Sequence, residues 1–175
     1  MKISQKIATS LAAATVLAGM AAAQSTHQNA NRLAADNNFV MKAAQGGLAE
    51  VSLGQLAVSH ASNDKVRQFG QRMINDHTMA NTELKQVASQ KGETVPAQLD
   101  AKDQATIDKL SQLNGQQFDR AYMNDMVKDH KADVAEFKKE ASSGDDPDVK
   151  GFASKTLPTL EDHLKMAEEI QGQLK

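Results

Sequence analysis

Cysteine is absent from all 175 residues, which excludes disulfides, iron–sulfur clusters and thiol nucleophiles. The lack suits an oxidising compartment, where a stray thiol is a liability, and it removes any lipoprotein anchor. Tryptophan is also absent, and one tyrosine with five phenylalanines leaves no aromatic surface on which bases or sugars would stack. There is no basic block for nucleic acid or anionic lipid. No apolar run approaches the ~20 residues of a membrane-spanning helix. Strand-type alternation is missing throughout. So are a nucleophile elbow, a phosphate loop and His-Glu-x-x-His, and no carboxylate pair of the glycosidase kind can be singled out.

What is present begins with a leader. Lys2 and Lys6 form a positive start, residues 7–18 a short apolar run, and Ala21-Ala22-Ala23 a small-residue cleavage site. This is the pattern of a secretory signal peptide spanning residues 1–23, with the cut after Ala23 and export to the periplasm or beyond. Removing it leaves 152 residues with 18 basic and 22 acidic side chains, a net charge of −4 with His neutral. That length suits one domain with one core. Residues 24–35 are polar and lack an apolar period, and they read as a disordered lead-in.

Residues 36–174 read as a bundle. Ala, Gln, Lys, Glu and Leu dominate, which favours helix. Asp36 to Asn38 offers a cap for a first helix over 36–61. Ser62-Asn63-Asp64 makes a turn into a second over 64–91, ended by Gly92. The long connection 93–114 holds Pro96 and a short helix capped by Asp100. A third long helix covers 116–141. Asp146 and Pro147 then open a fourth over 147–174, with Pro158 inside it. Two short-looped hairpins joined by a long crossover with a short extra helix describe an all-α, ferritin-like four-helix bundle.

Three of the five histidines share one frame, Asp-His followed six residues later by Glu and an apolar residue. It reads Asp76-His77…Glu83-Leu84, Asp129-His130…Glu136-Phe137 and Asp162-His163…Glu169-Ile170. The first two copies are 53 residues apart and the third lies 33 further on. Residues equidistant from a hairpin turn lie at one level. Glu50 and His77 are centred on 63.5, and His130 and His163 on 146.5, each within a turn sequence. One layer of the bundle is therefore expected to hold Glu50, His77, His130 and His163, a ligand set for a single Zn, Mn, Fe or Cu ion.

Asp76, Asp129 and Asp162 sit about 100° round the helix from their histidines. They either face solvent or accept a hydrogen bond from a histidine on a neighbouring helix. Met73, Met126 and Met166 lie one turn from His77, His130 and His163, as core fillers or as soft ligands. Glu83, Glu136 and Glu169 border the apolar face. Gly46, Gly47 and Gly54 surround Glu50 and imply close helix approach or room for an ion. His27, in the lead-in, and His60, at an exposed helix end, receive no role.

The phrases Arg72-Met73…Asp76-His77…Asn81…Leu84, Phe118-Asp119-Arg120-Ala121-Tyr122-Met123…Asp129-His130 and Lys155-Thr156-Leu157-Pro158-Thr159-Leu160…His163 resemble the exported bacterial family called "domain of unknown function 4142". The likeness covers residues 39–174. It implies a ferritin-like fold and export, and no activity. A di-iron carboxylate centre needs Glu-x-x-His on two helices. Ile74, Val127 and Leu160 stand three residues before the histidines instead, which disfavours a ferroxidase.

Three functions follow as expectations. One is a metal-binding bundle for sequestration or stress protection. Another is a metal-free structural or interaction protein whose buried histidines are hydrogen-bonded. The third, an enzyme, would act only through a bound metal. The acidic surface points to a monomer or weak dimer with no nucleic-acid partner.

Overall fold

The computed structural model describes residues 13–174, with side chains from Leu33 onward. Lys2, Lys6 and the start of the leader lie outside the described residues. The chain forms α1 (Ala13–His60), α2 (Asp64–Gln90), α3 (Ala101–Ser111), α4 (Gly115–Ser143) and α5 (Pro147–Gln173), with no strand among the described residues. Helices α1 and α2 pair as one hairpin and α4 and α5 as another, and the crossover between them lays α3 against α1. This is the all-α, ferritin-like four-helix bundle expected from the sequence.

Local chemistry sets the boundaries. The Asn63 side chain accepts the N–H of Lys65 at the start of α2. Asp100 caps α3 through the N–H of Asp103. Asp146 caps α5 through the N–H groups of Asp148 and Val149, with Pro147 in the first turn, where its missing donor costs nothing. Gly92 and Gly115 turn the chain with φ of 73° and 59°, a region that disfavours side chains.

One expectation at the start of the bundle changes. The backbone of α1 runs through residues 24–35. Adding turns to a packed helix needs only propagation, not nucleation, and alanine and glutamine there favour it. Asp36 is correspondingly not a cap for α1. It is buried inside that helix, and its carboxylate accepts the N–H groups of Asp145 (3.2 Å) and Asp146 (2.7 Å) in the α4–α5 loop.

Asp119 of α4 does the same for the other hairpin. It is buried and accepts the N–H groups of Ser62 (3.1 Å) and Asn63 (3.0 Å) and the Ser62 hydroxyl (2.6 Å). Each hairpin thus places an aspartate on the other's turn. Both donors and both acceptors are 83 residues apart, Asp36 with Asp119 and Asp146 with Asn63. Val66 with Val149 and Phe69 with Phe152 follow the same spacing, and all four are buried. The internal repeat of the fold is therefore 83 residues. The 53-residue histidine frame relates helices of different rank in their hairpins.

The core divides in two. One cluster, around Phe69, Met73, Phe118, Tyr122 and Met126, lies toward the α1–α2 turn. The other, around Phe39, Val40, Leu84, Phe137 and Phe152, lies toward the α4–α5 loop. Helices α1 and α2 pack closely at Gly54 and Gly70. A Cβ on Gly54 would stand 2.6 Å from the Gly70 carbonyl oxygen, and one on Gly70 would stand 2.5 Å from the Ala57 Cβ. Close approach therefore accounts for Gly54.

Two outcomes are expected. Gly54→Ala gains helix propensity but must move backbone. Urea denaturation should show a net loss of about 1–3 kcal/mol. Glu140 lies against Asp36, and burial followed by that neighbouring carboxylate raises its pKa to about 7. Its folded pKa exceeds its unfolded one, so its contribution is complete below about 4.5 and is lost as pH rises through about 7. Glu140→Gln should therefore be more stable than the wild type above pH 7, an advantage that shrinks as pH falls to 5 in paired denaturation curves.

Candidate metal centre

The three framed histidines meet between the two apolar clusters. His130 of α4 and His163 of α5 are 0 % exposed and His77 of α2 is 7 % exposed. Their ring centroids are 5.9 Å (His77–His130), 5.5 Å (His77–His163) and 5.4 Å (His130–His163) apart. One ring nitrogen from each lies within 4.8 Å of the other two. Phe69 packs edge-on against His130 and His163 at 6.2 and 6.4 Å, which closes the layer from the first cluster.

Partners fix the tautomers. His130 Nδ1 is 3.0 Å from the carbonyl of Met126, a pure acceptor, so Nδ1 carries the proton. His163 Nε2 lies 2.7 Å from the carboxylate of Asp76 and donates to it. The other nitrogens, His130 Nε2 and His163 Nδ1, together with His77 Nε2, are buried with no hydrogen-bond partner. The two hydrogen-bonded rings thus turn a lone pair away from their anchor. A carboxylate or carbonyl behind an imidazole is a recurrent way to hold a metal ligand in orientation.

Electrostatics keeps the rings neutral. Burial pulls His77 well below the ordinary imidazole range, and the neighbouring His130 and His163 pull it further. Burial also lowers His130. It takes His163 down to about 4, against the opposing pull of Asp76. Burial alone would raise Asp76, yet its hydrogen bonds with His163 and Arg72 outweigh that and hold its carboxyl below the usual range. At pH 7 the layer therefore presents uncharged imidazoles, the form that binds metals.

Glu50 is at the expected level but beside the group. Its carboxyl oxygen comes within 3.7 Å of His130 Nδ1, the nitrogen already bonded to Met126, and it is not among the atoms clustered within 4.8 Å. It is 3 % exposed, and burial raises its pKa well above the usual range, with Asp129, Asp125 and Asp103 adding to the effect. Tyr122, fully buried with an unpartnered hydroxyl, is raised by burial and then by Glu50.

The flanking aspartates separate into different roles. Asp76 holds His163. Asp162 is half-exposed and pairs with Arg72 at 2.7 Å, while Arg72 also reaches Asp76 at 3.1 Å. Asp129 is half-buried and acts on Glu50 through its charge. Met73 and Met126 are fully buried in the first cluster, and the Met166 sulfur accepts a hydrogen bond from Arg72 at 2.8 Å. Glu83 pairs with Lys155 and Glu136 with Lys42 at the rim. His60 is half-buried rather than exposed, its Nδ1 2.9 Å from the Leu113 carbonyl, and it ties the end of α1 to the crossover.

Two residues escaped the sequence reading. Arg72 anchors the Asp76 carboxylate that in turn anchors His163. Asp133 is half-buried, and burial with the charge of Glu50 raises its pKa to about 7. Asp133 lies 83 residues after Glu50 and is its counterpart in the second hairpin, so the repeat would have found it. Among the glycines near Glu50, Gly47 makes room for the Asn81 side chain, whereas a Cβ on Gly46 would meet nothing within 4 Å.

Comparison with known proteins places the fold. A DUF305 fragment from Deinococcus radiodurans matches with a TM-score of 0.70 and 16% identity, over 79% of this chain and 96% of its own. The "putative secreted protein DUF305 from Streptomyces coelicolor" gives 0.68 and 14%, over 80% and 93%. A third structure, "CopM in the Ag-bound form", gives 0.63 and 17%, over 77% and 93%. At these identities the likeness is one of fold. No curated protein matches. The profile of the family described as Domain of unknown function (DUF4142) matches residues 19–170, and the chain belongs to that family.

Proposed function

We propose that this protein is an exported bundle that holds one transition-metal ion between His77, His130 and His163, for sequestration or protection under metal stress. One observation carries the reading: three buried imidazoles converge while each keeps a nitrogen that no protein group satisfies. A structural histidine is ordinarily hydrogen-bonded, and each unsatisfied buried polar atom costs about 1–3 kcal/mol. An ion with bonds of about 2 Å needs three nitrogens roughly 3.5 Å apart, and the ring nitrogens here lie within 4.8 Å of one another.

The donor set favours a monovalent ion of the Cu(I) or Ag(I) class over Zn, Mn or Fe. Imidazoles bring no negative charge, and the Glu50 carboxyl stands outside the group of converging nitrogens. Doubling an ion's charge raises its desolvation cost about fourfold, so a divalent ion in this buried layer would have to keep a water or hydroxide as a further ligand. The silver form of a structure with the same fold supports this class. The leader supports export to the periplasm, with cleavage after Ala23. No helix among the described residues is long and apolar enough to cross a membrane.

The test is a titration of the apo protein with Ag(I), Cu(I) and Zn(II), followed by thermal unfolding. One equivalent of Cu(I) or Ag(I) should bind, and ligand at about 100 times Kd should raise Tm by roughly 5–10 °C. His130→Ala should abolish the rise. Asp76→Asn should weaken binding by about 10–100-fold by releasing His163. No rise with any of the ions would refute the reading.

A further inference from the structure

A cavity of about 40 Å³ runs from the surface between α1 and α4 to His77. Gly46 and Gly47 line it on α1, Asp133 on α4 and His77 on α2, among apolar side chains that include Phe152 and Leu160 on α5. A single water needs about 10–15 Å³ on this measure, so the space admits an ion with one or two waters and no organic substrate. At the rim Lys42 Nζ lies 3.2 Å from Glu136 Oε1, with side chains 57% and 38% exposed. His77 borders the cavity while its buried Nε2 has no partner.

Resting on the three-histidine reading, we propose that this cavity is the vestibule through which the metal ion reaches His77, His130 and His163. Asp133 receives the ion inside, and the Lys42–Glu136 pair sits across the mouth. The two walls explain features the metal centre leaves unused. A side chain on Gly46 would project into open space, so nothing in the packing of α1 requires glycine there. In the helix interior glycine is unfavourable compared with alanine; here it keeps the passage clear. Asp133 supplies an oxygen donor along the route that exchanges ligands more readily than three converging imidazoles. Lys42 repels a cation until it swings away with Glu136 or alone, which makes the mouth a charge barrier between α1 and α4. The arrangement separates admission from affinity, because none of these groups belongs to the three nitrogens that hold the ion.

The experiment follows Cu(I) transfer from its bicinchoninate complex to the apo protein, and extraction by excess bicinchoninate, in stopped flow. Gly46→Leu fills the passage and should slow loading and extraction together, each by at least about tenfold, while Kd stays within about threefold. Gly151→Leu is the control, an exposed glycine of α5 whose Cβ also meets nothing, and it should leave both rates unchanged. Lys42→Ala should speed both. If Gly46→Leu fails to fold, Asp133→Asn decides, with slower loading expected. Wild-type protein that holds Cu(I), with wild-type rates in Gly46→Leu, overturns the vestibule alone. A slowed loading matched by an equal loss of affinity overturns it too, since that marks damage to the centre. Wild-type protein that holds no Cu(I) at equilibrium overturns the three-histidine reading and the vestibule with it.

Discussion

Burying three imidazole nitrogens without hydrogen-bond partners is the constraint on which the structure turns. At about 1–3 kcal/mol each, they cost roughly 3–9 kcal/mol, a large share of the 5–15 kcal/mol by which domains are ordinarily stable. His77, His130 and His163 nevertheless sit together at 7, 0 and 0 % exposure. Their neighbours relieve only part of that cost. Met126 and Asp76 each take one nitrogen and leave the other turned inward. A bound ion would recover that free energy, and stability and binding would then be two expressions of one interaction.

The surrounding fold supplies the rigidity such a layer needs. Asp36 and Asp119 exchange hydrogen bonds with the opposite hairpin's turn, so neither hairpin can slide without losing buried charge-assisted bonds. The Gly54–Gly70 contact holds α1 against α2 at near-minimal distance. Apolar clusters flank the layer on either side. Arg72 extends the order outward, fixing Asp76, which fixes His163.

Much of this was legible in the sequence. Helix period, the caps at Asn63, Asp100 and Asp146, and the turn spacings gave four long helices and the short one in the crossover. Distance from each hairpin turn put His77, His130 and His163 at one level. That argument measures height along the bundle and says nothing of rotation about a helix, which is why Glu50 arrived at the right level but beside His130. The 83-residue repeat was hidden because scattered identities mark it, among them Asp36 with Asp119, Val66 with Val149 and Phe69 with Phe152. The aspartates that latch the turns are far from them in sequence, so no local signal reveals them.

The most direct measurement is the long-range nitrogen-15 NMR spectrum of histidine-labelled protein before and after one equivalent of Ag(I). In the apo form, neutral rings are expected near pH 7, with His130 protonated at Nδ1 and His163 at Nε2. On loading, one nitrogen from each of His77, His130 and His163 should shift together and saturate at one ion per chain, while His27 and His60 stay in place. Unmoved core resonances, or shifts confined to His27 and His60, would contradict the account.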